Sequence, residues 1–243
     1  MTPYLLFSTD VPDSLFYVAL LAAMAGSVGV RAITPSGAVA GGGIAIGIFA
    51  GCGWLGVALL AVFFVSGSVA TRWRRGQKED LGVAQEAGGQ RSAVNALSNG
   101  AVAGGLGVLS WWLGSPSPWA YPMLMAALAS ATSDTLSSEL GNLYGRRYWD
   151  MRSLSPGRRG ADGVISLEGT LFGLLGSLLI ALPAGLWAGE ARAVWAIGAA
   201  GLLGNFSDTL LGASLQRNGW LSNHSTNFWS TLLAAVYAWL LWG

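Results

Sequence analysis

Four acidic residues lie inside long apolar runs of this sequence: Asp134, Glu139, Glu168 and Asp208. A carboxylate at the centre of a membrane helix costs about 2.5 to 3.5 kcal/mol on insertion scales. Four of them together cost on the order of 10 kcal/mol, which is as large as the stability of a whole domain. We therefore expect these carboxylates to have a function.

Three of these carboxylates are predicted to reach one level of the membrane. At a rise of about 1.5 Å per residue, Asp134, Glu168 and Asp208 lie about 12, 8 and 14 Å from the cytoplasmic ends of their predicted helices. Oxygen ligands suit a hard cation such as Mg²⁺, which keeps waters or substrate phosphates. We predict catalytic roles for these three acids, and metal binding by Asp134, Glu139 and Asp208. Pairing with nearby arginines, or proton transport, is the alternative.

Hydroxyl groups accompany two of the acids on one predicted helix. Asp134 and Ser138 are four residues apart, as are Thr135 and Glu139, so each pair shares a helix face. A strip of this kind suits a bound metal and phosphate. Serine and threonine also pack membrane helices together, which is the alternative for the hydroxyls.

Two basic loops that contain glycine are predicted to lie above these carboxylates. The first ends with EAGGQRSAVNALSNG, and the second ends with SPGRRGADG at a predicted helix N-terminus, where anions bind readily. We predict that nucleotide and phosphate are bound by Gln90, Arg91, Asn95, Asn99, Thr135, Ser138, Arg158, Arg159 and Asp162. For any single arginine, setting the topology or contacting anionic lipid headgroups is the alternative.

The composition indicates that membrane helices position these residues. Only 10% of the 243 residues are charged and 53% are apolar, whereas soluble domains average about 25% charged residues. Apolar spans long enough for membrane helices lie at about 15–30, 37–52, 54–71, 93–114, 119–142, 163–187, 193–216 and 225–242. Because these runs are continuous rather than alternating, we predict an all-α bundle of about eight transmembrane spans. It forms one integral membrane domain over residues 1–243.

An internal repeat predicts how the spans are paired. Gly37, Gly100 and Gly163 begin similar glycine-rich segments and are spaced 63 and 63 residues apart. Each following span carries a serine-containing element: SGSVATR, SDTLSSELG and SDTLLGASL. We predict three helical hairpins in one orientation about an axis along the membrane normal. The first hairpin is predicted to turn at GCGW, although its short first span also fits a half-helix or re-entrant segment.

Charge placement predicts the orientation. If loops 72–92 and 144–162 are cytoplasmic, twelve of the thirteen Lys and Arg residues obey the positive-inside rule. Both termini are then outside, and the site faces the cytoplasm of a bacterial or archaeal-type cell membrane. The net charge of +1 gives no reason to expect a nucleic acid partner.

Five motifs in order along the chain carry a family resemblance: FFVSGSVATRW, EAGGQRSAVNALSNGAVAG, SATSDTLSSELG, GADGVISLEGTLFGLLGS and GLLGNFSDTLLGASLQ. They resemble the transmembrane protein 19 family, which includes the plant and cyanobacterial phytyl-phosphate kinases. The matches run from about Gly37 to the C-terminus.

Two segments, 134–141 and 166–173, also resemble the wider class of lipid enzymes that use CTP, such as dolichol and phytol kinases. This sequence departs from that pattern at three positions. Ser166 replaces a threonine and keeps the hydroxyl, whereas Phe172 replaces an alanine. Ala161 stands where the family's glycine-rich loop has threonine.

The resemblance implies a CTP-dependent kinase that uses Mg²⁺ to phosphorylate an isoprenyl monophosphate, such as phytyl, geranylgeranyl or farnesyl phosphate. The expected partners are membrane lipid, this lipid phosphate and a nucleotide. A cytidylyltransferase acting on a lipid phosphate is one alternative, and a lipid-phosphate transporter or flippase is another. The acceptor's chain length, the choice of nucleotide and the oligomeric state are left open by the sequence.

Overall fold

Helices make up most of the computed structural model, which describes residues 13–85, 87–114 and 119–242. The helices are α1 Asp13–Gly29, α2 Pro35–Arg72, α3 Arg75–Asp80, α4 Ala93–Trp112, α5 Ala120–Tyr144, α6 Leu167–Ala188, α7 Ala191–Leu211 and α8 Asn223–Trp242. A π-helical segment, Gly212–Gln216, continues α7. Three short strands, β1 Tyr148–Asp150, β2 Ser155–Pro156 and β3 Val164–Ser166, form a small antiparallel sheet in the order β2-β1-β3. The predicted all-α fold is confirmed.

The long helix α2 reverses direction at Gly53, whose backbone angles are φ 58° and ψ −151°. A Cβ added to Gly56 would lie 2.6 Å from Cγ2 of Ile48. In a straight helix, two residues eight apart are separated by about 12 Å. The two arms, 35–52 and 54–72, therefore form a hairpin, and the predicted turn at GCGW is confirmed.

The first arm of α2 runs parallel to α4, and glycines form the contact between them. A Cβ added to Gly47 would lie 2.6 Å from the carbonyl oxygen of Gly104. One turn further along, Gly51 faces Gly107 in the same way. The contact advances in the same direction along both helices, so the first and second hairpins share one orientation.

The second and third hairpins also share one orientation, because α5 and α7 run parallel. A Cβ added to Gly201 would lie 2.6 Å from the Cβ of Ala129. Four residues further along each helix, Asn205 Nδ2 donates to Ser133 Oγ at 3.0 Å. The orientation that the sequence repeat predicts is therefore present in the structure.

The outer surface of the bundle exposes large apolar side chains. Leu186 and Trp195 are each 77% exposed, and extensive apolar exposure marks a surface that meets lipid or protein. Among the described residues, two helices, Pro35–Arg72 and Leu167–Ala188, are long and apolar enough to span a membrane by composition alone. Other helices, such as α5, carry polar residues into the interior of the bundle, which lowers their hydropathy.

The segments that carry the charged motifs meet at one end of the bundle, called the loop end here. It contains the segments 73–85, 87–92, 145–166 and 212–222. The opposite end carries the turn at Gly53 and the connection between α6 and α7. The polar site described next lies at the loop end.

Candidate functional site

A cavity of about 310 Å³ lies at the loop end, between α4, α5, α7, α8 and the loop before α6. The predicted site residues that line it are Arg91, Asn95, Asn99, Asp134, Thr135, Ser138, Glu139, Asp162 and Asp208. Other polar side chains in its wall, which the sequence analysis did not single out, include Gln85, Ser137, Asn142, Asn205, Thr209, Gln216, Asn223 and Asn227. The structure therefore brings most of the predicted residues into one polar cavity.

Two carboxylates, Asp134 on α5 and Asp208 on α7, share this cavity and interact electrostatically. Ser230 lies beside Asp208, and its hydroxyl donates to the Asn227 carbonyl at 2.9 Å. With its amide nitrogen turned toward α7, Asn227 donates to Asp208 Oδ1 at 3.2 Å. In the part of the chain that the structure describes, neither carboxylate forms an ion pair. The bond from Asn227 holds the Asp208 carboxylate in place.

Arg91 is the cationic side chain in the described wall of the cavity. Its guanidinium lies 4.7 Å from the ring centre of Phe63 and 5.7 Å from that of Phe64. A Cβ on Gly67 would overlap the guanidinium, so this glycine makes room for it. The Arg91 carbonyl accepts a bond from Thr34 N at 3.0 Å, which fixes the backbone. Within the described ranges, Arg91 has no carboxylate within ion-pair distance.

The first turn of α4 positions two cavity asparagines. Ser92 and Asn95 form a reciprocal capping box, in which each side chain bonds the other's backbone N–H. Asn99 Nδ2 donates to the Asn95 carbonyl at 2.9 Å. The amide atoms of Asn99 and Asn227 approach to 3.5 Å across the cavity wall, so α4 and α8 meet here.

The loop before α6 contributes Asp162 to the cavity. Gly163 has a positive φ of 71°, and it packs so closely on Ala213 that a Cβ would overlap that residue. Arg217 donates to the Asp162 carbonyl and to the Asp150 carboxylate. The hydrogen bond from Arg217, with further bonds from backbone N–H groups, lowers the pKa of Asp150 to about 2. This loop is therefore fastened to the end of α7.

Four predicted site residues do not line the cavity: Gln90, Arg158, Arg159 and Glu168. The Arg159 guanidinium is engaged elsewhere, because it donates to the Gly145 carbonyl at 3.1 Å and lies 5.1 Å from the ring centre of Tyr148. Arg158 is exposed. The paired arginines therefore lie beside the cavity rather than in its described wall.

The predicted depth of Glu168 is wrong. Residues Val164–Ser166 form strand β3, and the Ser166 side chain caps a helix that begins only at Leu167. Glu168 consequently lies in the first turn of α6, where it accepts a bond from Arg146 N at 3.4 Å.

Glu139 lines the cavity but is already paired. Its Oε2 lies 2.5 Å from Lys78 Nζ, and its Oε1 accepts from Thr71 Oγ1 at 3.0 Å. Among the described residues, no group of three His, Cys, Asp or Glu side chains could hold a metal ion. The predicted three-ligand set of Asp134, Glu139 and Asp208 is therefore not formed. Metal binding by Asp134 and Asp208 together stays a prediction.

Three polar residues in or beside the cavity wall escaped the sequence analysis for different reasons. Asn205 and Asn227 lie in apolar spans, where a polar amide, like a carboxylate, is costly to place in the membrane. Their positions in the sequence could therefore have indicated a polar interior. Lys78 looks like one more basic loop residue, and its burial becomes visible only in the folded structure.

Comparisons with known proteins identify relatives of the whole bundle. The family model described as integral membrane protein DUF92 matches residues 17–235. An uncharacterized membrane protein of Methanocaldococcus jannaschii is 32% identical over 191 residues, which are 79% of this chain and 78% of the relative. An uncharacterized membrane protein of Synechocystis sp. is 31% identical over 223 residues, or 90% and 86% of the two chains.

A plant relative shares a similar stretch. Protein VTE6, chloroplastic, of Arabidopsis thaliana is 32% identical over 199 residues, which cover 78% of this chain and 59% of the relative. No solved structure matches the chain. The matches confirm the resemblance that the five motifs carry and the prediction of an integral membrane protein.

Proposed function

Because this chain belongs to the DUF92 family of integral membrane proteins, we propose that it is a membrane phosphotransferase acting on an isoprenyl monophosphate. In this reaction the γ-phosphate of CTP passes to the acceptor phosphate, giving an isoprenyl diphosphate and CDP. The motifs shared with phytyl-phosphate kinases and with other lipid enzymes that use CTP support this choice of reaction.

One observation carries the proposal. Asp134 and Asp208, two carboxylates that form no ion pair with any described residue, line the same cavity as Arg91, a guanidinium that likewise has no carboxylate at ion-pair distance among the described residues. A phosphate ligand that carries a divalent cation supplies both missing charges. Unpaired charges inside a protein are costly, so a ligand with this charge pattern is strongly favoured.

The donor set of the cavity fits Mg²⁺. This ion is usually held by one or two carboxylates plus substrate phosphates and waters, rather than by a cage made entirely of protein. Asp134 and Asp208 are the residues that would hold it. When bound, Mg²⁺ neutralises charge on the phosphates as the γ-phosphoryl group is transferred.

The chain's own contribution is to bind and align two phosphates. Arg91 would donate to phosphate oxygens, and its position between Phe63 and Gly67 limits the directions in which it can point. Asn95 and Asn99 are fixed by the capping turn of α4 and offer further polar groups. A loose transition state of this kind requires positioning and electrostatic stabilisation more than covalent chemistry.

The acceptor needs no strong base, because an isoprenyl monophosphate is already ionised. An acceptor oxygen forms a bond to the γ-phosphorus, and the bond from this phosphorus to the β–γ bridging oxygen breaks. CDP leaves with that electron pair. The protein must therefore align the two phosphates in line and exclude water, since water would hydrolyse the nucleotide instead.

The position of the cavity suits such an acceptor. It lies at the loop end of the bundle, where the apolar tail of the acceptor can stay in the bilayer while its phosphate reaches the polar groups. The excess of arginine at this end supports its placement on the cytoplasmic side, where the nucleotide is found.

The test uses purified protein in nanodiscs with Mg²⁺, a panel of isoprenyl monophosphates, and CTP labelled on either the γ- or the α-phosphate. The proposal predicts a lipid product that carries only the γ label. A product with the α label would instead show transfer of CMP, as in a cytidylyltransferase. Absence of labelled lipid with any acceptor and nucleotide, beside a working control enzyme, would contradict the proposal and make lipid-phosphate transport the next assay.

A further inference from the structure

Lys78 is a buried cation that the proposed reaction does not use. It belongs to the short helix α3 at the loop end, and its side chain is only 1% exposed. Its Nζ donates to the carbonyls of Ala70 and Thr71 at 2.6 and 3.3 Å, and to Glu139 at 2.5 Å. All three ammonium protons therefore have partners, and one partner is a carboxylate in the cavity wall.

Glu139 stands between this lysine and the charges of the proposed site. Its side chain is 3% exposed, and both its oxygens are bonded from the side of α2 and α3. It interacts electrostatically with Arg91 and with Asp134, which lies five residues earlier on the same helix. Arg91 nonetheless forms no ion pair within the described ranges.

We propose that Lys78 is a positioning residue, which engages Glu139 so that the Arg91 guanidinium stays available to a phosphate ligand. This inference rests on the proposed function, because it assumes that Arg91 binds phosphate. A carboxylate buried without a partner is strongly destabilising. If Lys78 lost its charge, we expect Glu139 to pair with Arg91, the cation in the described wall of the cavity, with which it already interacts electrostatically.

A purely structural role for Lys78 is the competing explanation. Lys78 also binds two carbonyls at the C-terminal end of α2, where unpaired carbonyl groups need donors. Such a role predicts a loss of stability after mutation and no specific link to Arg91. The two explanations therefore differ in whether the effects of changing Lys78 and Arg91 are additive.

The test measures the dissociation constants of CTP and of phytyl monophosphate for the full-length protein in nanodiscs. Lys78→Gln keeps hydrogen-bonding groups but removes the charge. We expect it to weaken binding about 10- to 100-fold, the range for one lost hydrogen bond between charged groups. Arg91→Gln alone should have a similar effect. In the Lys78→Gln background, the change Arg91→Gln should raise the dissociation constant by less than about threefold, because Arg91 is already paired with Glu139 there.

A second change should restore binding. In the double variant Lys78→Gln/Glu139→Gln no charged Glu139 competes for Arg91, so we expect affinity within about threefold of wild type. The matched control is Glu79→Gln, which removes the exposed ion pair between Arg75 and Glu79 on the same helix and should leave the affinity unchanged. Unfolding midpoints of all variants separate lost stability from lost binding.

The outcomes distinguish this inference from the proposed function. If wild type binds neither ligand, the proposed function fails and the inference fails with it. If wild type binds and Lys78→Gln binds equally well, or if the Lys78 and Arg91 effects multiply, only the inference fails. Should Lys78→Gln not fold, Thr71→Val removes the other bond to Glu139 and is expected to weaken binding about threefold. Unchanged binding in that variant would overturn the inference.

Discussion

Replacing Gly163 by alanine should displace the loop that brings Asp162 to the cavity. Gly163 has a φ of 71°, which residues with a Cβ rarely adopt. Its Cβ would also overlap the backbone of Ala213, in the π-helical segment that follows α7. The atoms in the way are the backbone and Cβ of Ala213 rather than the end of a flexible side chain, so the loop itself must move.

The size of the effect follows from these two contributions. A left-handed backbone costs an alanine about 1 to 2 kcal/mol. Overpacking against a rigid neighbour costs about 1 to 3 kcal/mol more. Gly189 offers a matched control, because its φ is 68° but nothing lies within 4 Å of the position of its Cβ. Gly189→Ala should therefore show only the backbone cost.

The assay compares both variants by denaturant unfolding and by CTP affinity in the same membrane mimetic. We expect Gly163→Ala to lower the free energy of unfolding by about 1 to 3 kcal/mol more than Gly189→Ala. We also expect it alone to weaken CTP binding, because the displaced loop carries Asp162 away from the cavity. Equal destabilisation, or unchanged binding by a folded Gly163→Ala protein, would refute this account of the loop.

Three further predictions concern the carboxylates, the sheet and the packing of the hairpins. Asp134→Asn should lower kcat at least about 100-fold without loss of stability, because no ion pair is broken in the described structure. Glu190→Gln, at the opposite end of the bundle, is the control. Retained turnover in Asp134→Asn would exclude Asp134 from the site. The arginine partner of Asp150 lowers the pKa of that carboxyl to about 2, so its stabilisation is present above about pH 4 and is lost as the pH falls toward 2. The difference in unfolding midpoint between wild type and Asp150→Asn should shrink over that interval, and a constant difference would contradict this. Gly107→Ala should destabilise the protein by about 1 to 3 kcal/mol, because its Cβ would overlap α2. Gly105→Ala, with open space around the position of its Cβ, should not destabilise it. Equal unfolding curves for the two variants would contradict the described packing of α4 against α2.

The long helices could be predicted because each is a continuous apolar run, with ends marked by glycine or by charged loops, whereas the short charged helix α3 lies inside a segment that was predicted to be a loop. The turn at Gly53 was readable as well, since two glycines flank a cysteine in GCGW. The strand Val164–Ser166 was not, because its short apolar sequence continues smoothly into α6. This segment is a strand because it pairs with β1 in the folded chain.

The site was predictable where a polar group stands in an apolar helix. Asp134 and Asp208 are costly in such surroundings, so their positions alone indicated a shared polar interior. Loop residues were harder to assign to the site from the sequence. Arg159, for example, donates to the Gly145 carbonyl and does not line the cavity. Lys78 was missed because its burial depends on Glu139, which lies 61 residues away in the sequence.

The central claim is that Asp134, Asp208 and Arg91 together bind a metal and phosphate ligand. The most direct test is a crystal structure of the protein with Mn²⁺ in place of Mg²⁺ and a CTP analogue that cannot be hydrolysed between its β- and γ-phosphates. The account predicts anomalous density for Mn²⁺ on the two carboxylates, with phosphate oxygens bonded to Arg91. A nucleotide bound elsewhere, with the two carboxylates free of metal, would contradict it.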